Sequence, residues 1–160
     1  MLQLDTLGGA VARASVNRSR LVFLSAQQSE HGALAEYEHL NMNRLLSERL
    51  IGVPKQERER SINQLVLSLV SGSAGDVVII TGLEILFDRS LAVDPIRLLA
   101  TCAKNKTLLV CWPGDKTSTG LSYATPSHPE YRNYKTSDLS DVIFLTADAQ
   151  LHLRDVNEIR

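Results

Sequence analysis

The chain has little that would bind nucleic acid, cross a membrane or be cross-linked. Its 17 Lys and Arg are matched by 18 Asp and Glu, for a net charge of −1, so no global positive field draws it to nucleic acid. Basic runs are short and mixed with acids. The densest, KQERERS at residues 55–61, reads as the solvated start of a helix. Only two cysteines occur, Cys102 and Cys111. They have no metal-ligand spacing and make no disulfide framework; Cys111, inside an apolar run, reads as a buried, inert thiol. No apolar stretch approaches the ~20 residues needed to span a bilayer, and the N-terminus lacks the charged flank and apolar core of a signal peptide. The expectation is a cytoplasmic protein in a reducing compartment, with no membrane partner. The 160 residues suffice for one domain with its own core.

Four apolar segments read as strands: residues 20–26 (RLVFLSA), 76–82 (DVVIITG), 106–112 (KTLLVCW) and 141–147 (DVIFLTA). Each is apolar on both faces, as in a buried parallel sheet. A short fifth, HLNMN at 39–43, is a further strand candidate. Between them lie helical patterns. RLLSERLIG ends at a glycine stop. Pro54 suits the first turn of a helix with its apolar stripe at Ile62, Leu65, Val66, Leu69 and Val70. DPIRLLATCAKN has an Asp cap followed by Pro. Residues 1–18 show weak helical spacing and are expected to form an N-terminal helix; residues 148–160 have no assignment. The pattern predicts a single α/β domain: three αβα layers around a mostly parallel sheet joined by right-handed crossovers.

In such sheets ligands bind beyond the carboxyl ends of the strands. After the first strand, Gln27, His31, Gly32, Ala33 and Leu34 have the outline of a phosphate loop. Such a loop needs glycines that turn backbone N–H groups toward phosphate, a Lys for the outer phosphates and a hydroxyl for magnesium. Aligned on Gly32, Gln27 takes the first glycine position, Ala33 the Lys and Leu34 the hydroxyl, so the residues alone leave open an ordinary loop or a remnant site. After the second strand, Thr81 stands where nucleotide hydrolases place a metal-binding Asp. Glu84 follows, either to polarise a water or merely to cap the next turn. After the third, Pro113 offers no polar sensor, while Lys116 lies in a polar loop. After it comes LSYATPSHPEYRNY, braced by two prolines. His128, Tyr131, Arg132 and Tyr134 in this loop suit a subunit or partner contact, and Arg132 could act on a neighbour's nucleotide; the alternative is a surface turn. His31 and His39, with Glu30, Glu36 and Glu38, resemble a metal site in composition only, because the histidines miss the i, i+4 spacing.

LNMNRLLSERLIGVP, then GLEILFDRSLAVDPIRLLATCAKNKTLLVCWPG, then YATPSHPEYRNY together resemble the BrxF family, small P-loop proteins of type III BREX bacteriophage-exclusion systems. The resemblance spans residues 20–146. It implies a P-loop NTPase, AAA-like core working beside other BREX proteins in phage defence, with ATP and Mg²⁺ as cofactors. By position, Gln27, His31, Gly32, Ala33 and Leu34 form the nucleotide loop, Thr81 the metal-Asp position, and Glu84 the adjacent acid; Glu84 and Arg132 are the catalytic candidates. The chain departs from the family at the loop glycine, Lys and hydroxyl, and at the strand-end Asp. Two lost charge-assisted contacts of ~2–3 kcal/mol each predict a thousandfold or greater loss of affinity. The expectation is a degenerate nucleotide site without a full helical lid, in a protein that forms homo-oligomers or binds other BREX proteins. Two alternatives stand beside it. One is an ATPase in which Lys104 or Lys116 replaces the loop lysine and Glu84 the Asp. The other is a DNA-binding adaptor with a patch of Arg18, Arg20, Arg44 and Arg49.

Overall fold

In the computed structural model, which describes residues 1–18, 20–25, 27–28, 31–139 and 141–151 (147–150 as backbone only), six parallel strands form one sheet. Elements follow in the order β1 (Leu2–Thr6), α1 (Leu7–Ala14), β2 (Leu21–Leu24), β3 (Glu38–Asn41), α2 (Met42–Leu50), α3 (Lys55–Ser71), β4 (Val77–Thr81), α4 (Pro95–Cys102), β5 (Thr107–Cys111), three short strands β6 (Asp115–Thr117), β7 (Gly120–Tyr123) and β8 (Arg132–Lys135), and β9 (Val142–Gln150). The sheet order is β1-β9-β2-β5-β4-β3, and β6-β7-β8 form a separate antiparallel sheet.

The central strands are apolar on both faces because both faces are covered. β2 and β5 are buried throughout, as a doubly covered parallel sheet requires. On one face Val22, Leu24, Ile79, Leu109, Cys111, Ile143 and Leu145 pack against Leu7, Ala10 and Ala14 of α1 and against Leu34. On the other, Phe23, Val78, Ile80, Leu108, Val110 and Phe144 meet α2, α3 and α4 through Leu46, Ile62, Val66 and Leu99. Local signals set the helix starts: the Thr6, Asn41 and Asp94 side chains accept from the N–H groups of Gly9, Arg44 and Arg97, each satisfying a donor the helix leaves unpaired.

Two expectations change. The N-terminal helix predicted over residues 1–18 is a strand followed by a helix. Leu2 and Leu4 pair with Ile143 and Leu145, so the alternation Leu-Gln-Leu-Asp is a period of two, not the start of a helical stripe. The polar loop expected after Trp112 is an antiparallel sheet. Its strands are too short to announce themselves, but Thr117 and Gly120 pair across a tight turn. Of the tail, β9 runs to Gln150, while residues 152–160 lie outside the described residues. No helix among the described residues is long and apolar enough to cross a membrane.

Candidate functional site

The carboxyl end of β2 is where a phosphate loop would act, and there the chain closes on itself. β2 is flanked by β5 and β9. Beyond it Gln28, 6% exposed, turns its side chain inward. Gln28 Oε1 accepts from the Ser25 N–H at 2.9 Å, and the Gln28 N–H donates to Ser25 Oγ at 3.2 Å. Gln28 Nε2 donates to the Thr146 carbonyl on β9. One amide side chain thus pairs with a strand-end donor and ties the loop across to the neighbouring strand.

Residues 31–35 are equally self-contained. His31 Nδ1 accepts from the Ala33 N–H at 3.1 Å, the Leu34 N–H donates to the His31 carbonyl, and the Ala35 N–H to that of Gly32. His39 Nε2 donates to the Leu34 carbonyl at 3.1 Å. Gly32–Leu34 is a single 3₁₀ turn, not the helix whose dipole and free N–H groups attract phosphate. Leu34, in the hydroxyl position, is fully buried under β2, and Ala33 packs partly beside it. Gln27 is exposed. Gly32 has no left-handed φ and a Cβ there would meet open space, so the fold does not require glycine. ATP with magnesium does not fit the described residues of the loop: Ala33 and Leu34 supply neither the cation nor the metal hydroxyl at their positions, and the N–H groups of Ser25, Gln28, His31, Ala33, Leu34 and Ala35 are already paired.

Thr81 ends β4, half-buried. Strand spacing of ~4.8 Å places β4 about 10 Å from β2, with β5 between. Gly82 then adopts a left-handed conformation, φ +63°, and a Cβ there would collide with Asn41 Oδ1. Glu84 is exposed, and its carboxylate accepts from Asn43 Nδ2, while Asn43 Oδ1 accepts from the Ile85 N–H at 2.8 Å. Asn43, unnoticed in the sequence, therefore joins the β3 and β4 ends through Glu84.

The Tyr/Arg segment runs from β7 to β8 and is fastened to the body by three side chains. Arg132 Nη2 donates to the Val93 carbonyl at 2.8 Å. The Tyr134 hydroxyl donates to Asp94 Oδ1 at 2.9 Å, and Trp112 Nε1 donates to the Ser122 carbonyl at 3.0 Å. Tyr134, expected at a contact surface, is 9% exposed with its ring edge-on to Trp112 at 6.0 Å; it belongs to the core. Burial, and then the nearby Asp94 carboxylate, push its hydroxyl's pKa upward. Tyr131 and His128 remain exposed, and His128 Nδ1 accepts from the Glu130 N–H, fixing the turn. Arg132 is half-buried.

The two alternative lysines fall elsewhere. Lys104 precedes β5 and so lies at the amino edge of the sheet, away from the β2 loop. Lys116 is on β6, on the face of the main sheet opposite Leu34. Of the arginines, Arg20 immediately precedes β2 and Arg44 follows β3. Parallel strands put these two at opposite edges of the sheet, so the four do not form one patch. Among the described residues no group of three or more His, Cys, Asp or Glu is placed to hold a metal ion. No family model matches the chain, and no curated protein or solved structure matches it.

Proposed function

We propose that this chain is an AAA-like core protein of BREX-type phage defence whose nucleotide loop is closed by its own Gln28, and that it works as a self-associating or partner-binding subunit rather than as a hydrolase. The Gln28 bridge carries the reading. The N–H group at the end of β2, which would face a phosphate, is paired with a side-chain amide that also spans to β9. The strand order supports the AAA-like part. Numbering β2, β3, β4, β5 and β9 as first to fifth gives 5-1-4-3-2 for five of the six strands, the order of an AAA-like core, with β1 added at the edge beside the fifth. The resemblance of residues 20–146 supports the defence role. The contact role rests on Tyr131 and His128, exposed on a turn that Arg132 and Tyr134 anchor to the body; ordering them on binding costs little entropy.

Calorimetric titration with ATP and magnesium tests the first half: no saturable heat into the millimolar range is expected, and micromolar, magnesium-dependent binding would overturn it. Analytical ultracentrifugation, alone and with the products of neighbouring genes, tests the second. A complex weakened by Tyr131→Ala is expected; a strictly monomeric chain that binds none of them contradicts it.

A further inference from the structure

A cavity lies against the same strand end, on the face of the sheet away from Leu34. It encloses about 390 Å³ and is lined by Ser25, Trp112, Asp115, Lys116, Phe144 and Thr146, among others. Its position is that of a ligand crevice. From β2 the sheet continues to β5 on one side and to β9 on the other, and open parallel sheets bind ligands outside the carboxyl ends where the connections diverge in this way. Leu34 of the β2 loop packs on the opposite face. The cavity's volume lies in the range of small-molecule sites, which combine apolar walls with a few convergent polar groups.

Those groups are specific. Lys116 pairs in register with Leu121, which is fully buried in the core of this face, so strand alternation turns Lys116 toward this face; Asp115 beside it also lines the cavity, so an anion there is held against one neighbouring carboxylate. Lys116 Nζ stands 5.3 Å from the centre of the Phe144 ring. It makes no hydrogen bond or ion pair among the described residues. An ammonium held over an aromatic ring, with all three N–H donors available, is poised for an anion. Ser25 Oγ accepts from the Gln28 N–H, so its own hydrogen is free to donate. Trp112 and Phe144 supply apolar walls and are 2% and 5% exposed.

The geometry points to this crevice as a binding site for a small oxyanion bearing a compact apolar group, its charge on Lys116 and Ser25 Oγ and its apolar body against Trp112 and Phe144. The site shares Ser25 and Thr146 with the Gln28 bridge but does not rest on the proposed function, and it holds whether or not the chain self-associates. Trp112 is the sole tryptophan and lines the cavity, so its fluorescence reports occupancy directly. Benzoate and phenyl phosphate are the probes, with inorganic phosphate as the anion lacking an apolar part. Saturable quenching by either aromatic probe in the micromolar to low millimolar range, weaker with inorganic phosphate, is expected. Lys116→Met keeps the stem and removes the charge, and should weaken binding about tenfold or more. The Trp112 indole and Phe144 ring resonances should shift with the same midpoint, a readout on wild-type protein that does not depend on the variant's folding. No saturable change with either aromatic probe would overturn the assignment. So would equal affinity in a folded Lys116→Met, or shifts confined to residues away from the cavity.

Discussion

Gln28→Ala removes the side chain on which the closed loop depends, and its cost follows from two bonds. The substitution leaves the Ser25 N–H and the Thr146 carbonyl without their partner. A buried polar group deprived of its hydrogen bond costs about 1–3 kcal/mol. Ser25 and Thr146 are each half-buried, so entering water recovers part of this, and a net loss of about 2–3 kcal/mol is expected. For a chain of this size each kcal/mol moves Tm by about 2–4 °C, so the variant should melt roughly 5–10 °C lower. Urea denaturation gives the free energy and differential scanning calorimetry the shift. Gln28→Glu sharpens the test. An ionised carboxylate still accepts from Ser25 but repels the Thr146 carbonyl, whereas the protonated acid can donate to it. The folded pKa is thus raised above the unfolded value of about 4.3. The deficit relative to wild type should be smallest below pH ~4.3 and grow as the pH rises through that raised pKa. A Gln28→Ala cost below ~0.5 kcal/mol, the range of a neutral surface change, would refute the bridge. So would a Gln28→Glu deficit that ignores pH.

Further outcomes follow from neighbouring residues. Leu34→Thr, which restores a hydroxyl at the loop's metal position, should yield no magnesium affinity and cost about 2–4 kcal/mol in urea unfolding, because it buries an unpaired hydroxyl under β2. Gly32→Ala should be neutral or stabilise by up to ~1 kcal/mol, whereas Gly82→Ala, at φ +63° against Asn41, should destabilise by about 2 kcal/mol or more; a reversed ranking contradicts the loop geometry. Burial raises the Cys102 thiol to about 11 and also raises the Tyr134 hydroxyl. Folding favours the protonated forms, so stability should be full below pH ~9 and fall as the pH rises above it. Cys102→Ala should flatten the first part of that fall in urea midpoints, and a pH-independent midpoint would contradict it.

Most of the fold was legible in four apolar segments and their helical spacers, because strands buried on both faces cannot hide. The edges were not. β1 exposes Gln3 and Asp5 and leaves Leu4 only half-covered, so its alternation is faint beside the helix that follows. β6, β7 and β8 have three or four residues each, too few for a period. At the site, the missing Lys and hydroxyl were plain from Ala33 and Leu34, but the Gln28 bridge was not. A glutamine in a polar loop looks solvated until the chain brings Thr146, 118 residues later, against it. Asn43 was hidden for the same reason: its bonds to Glu84 and Ile85 cross about forty residues. STG between DKT and LSY was the one local signal that could have revealed the small sheet.

The most direct test of the closed loop is ¹⁵N-resolved NMR of the Ser25 backbone amide and the Gln28 side-chain amide, with ATP and magnesium added to millimolar concentration. Both resonances should be protected from solvent exchange, show a scalar or nuclear Overhauser connection between the two residues, and stay in place throughout. A saturable shift of the Ser25 amide at micromolar nucleotide, with release of the Gln28 side chain to solvent, would contradict the account.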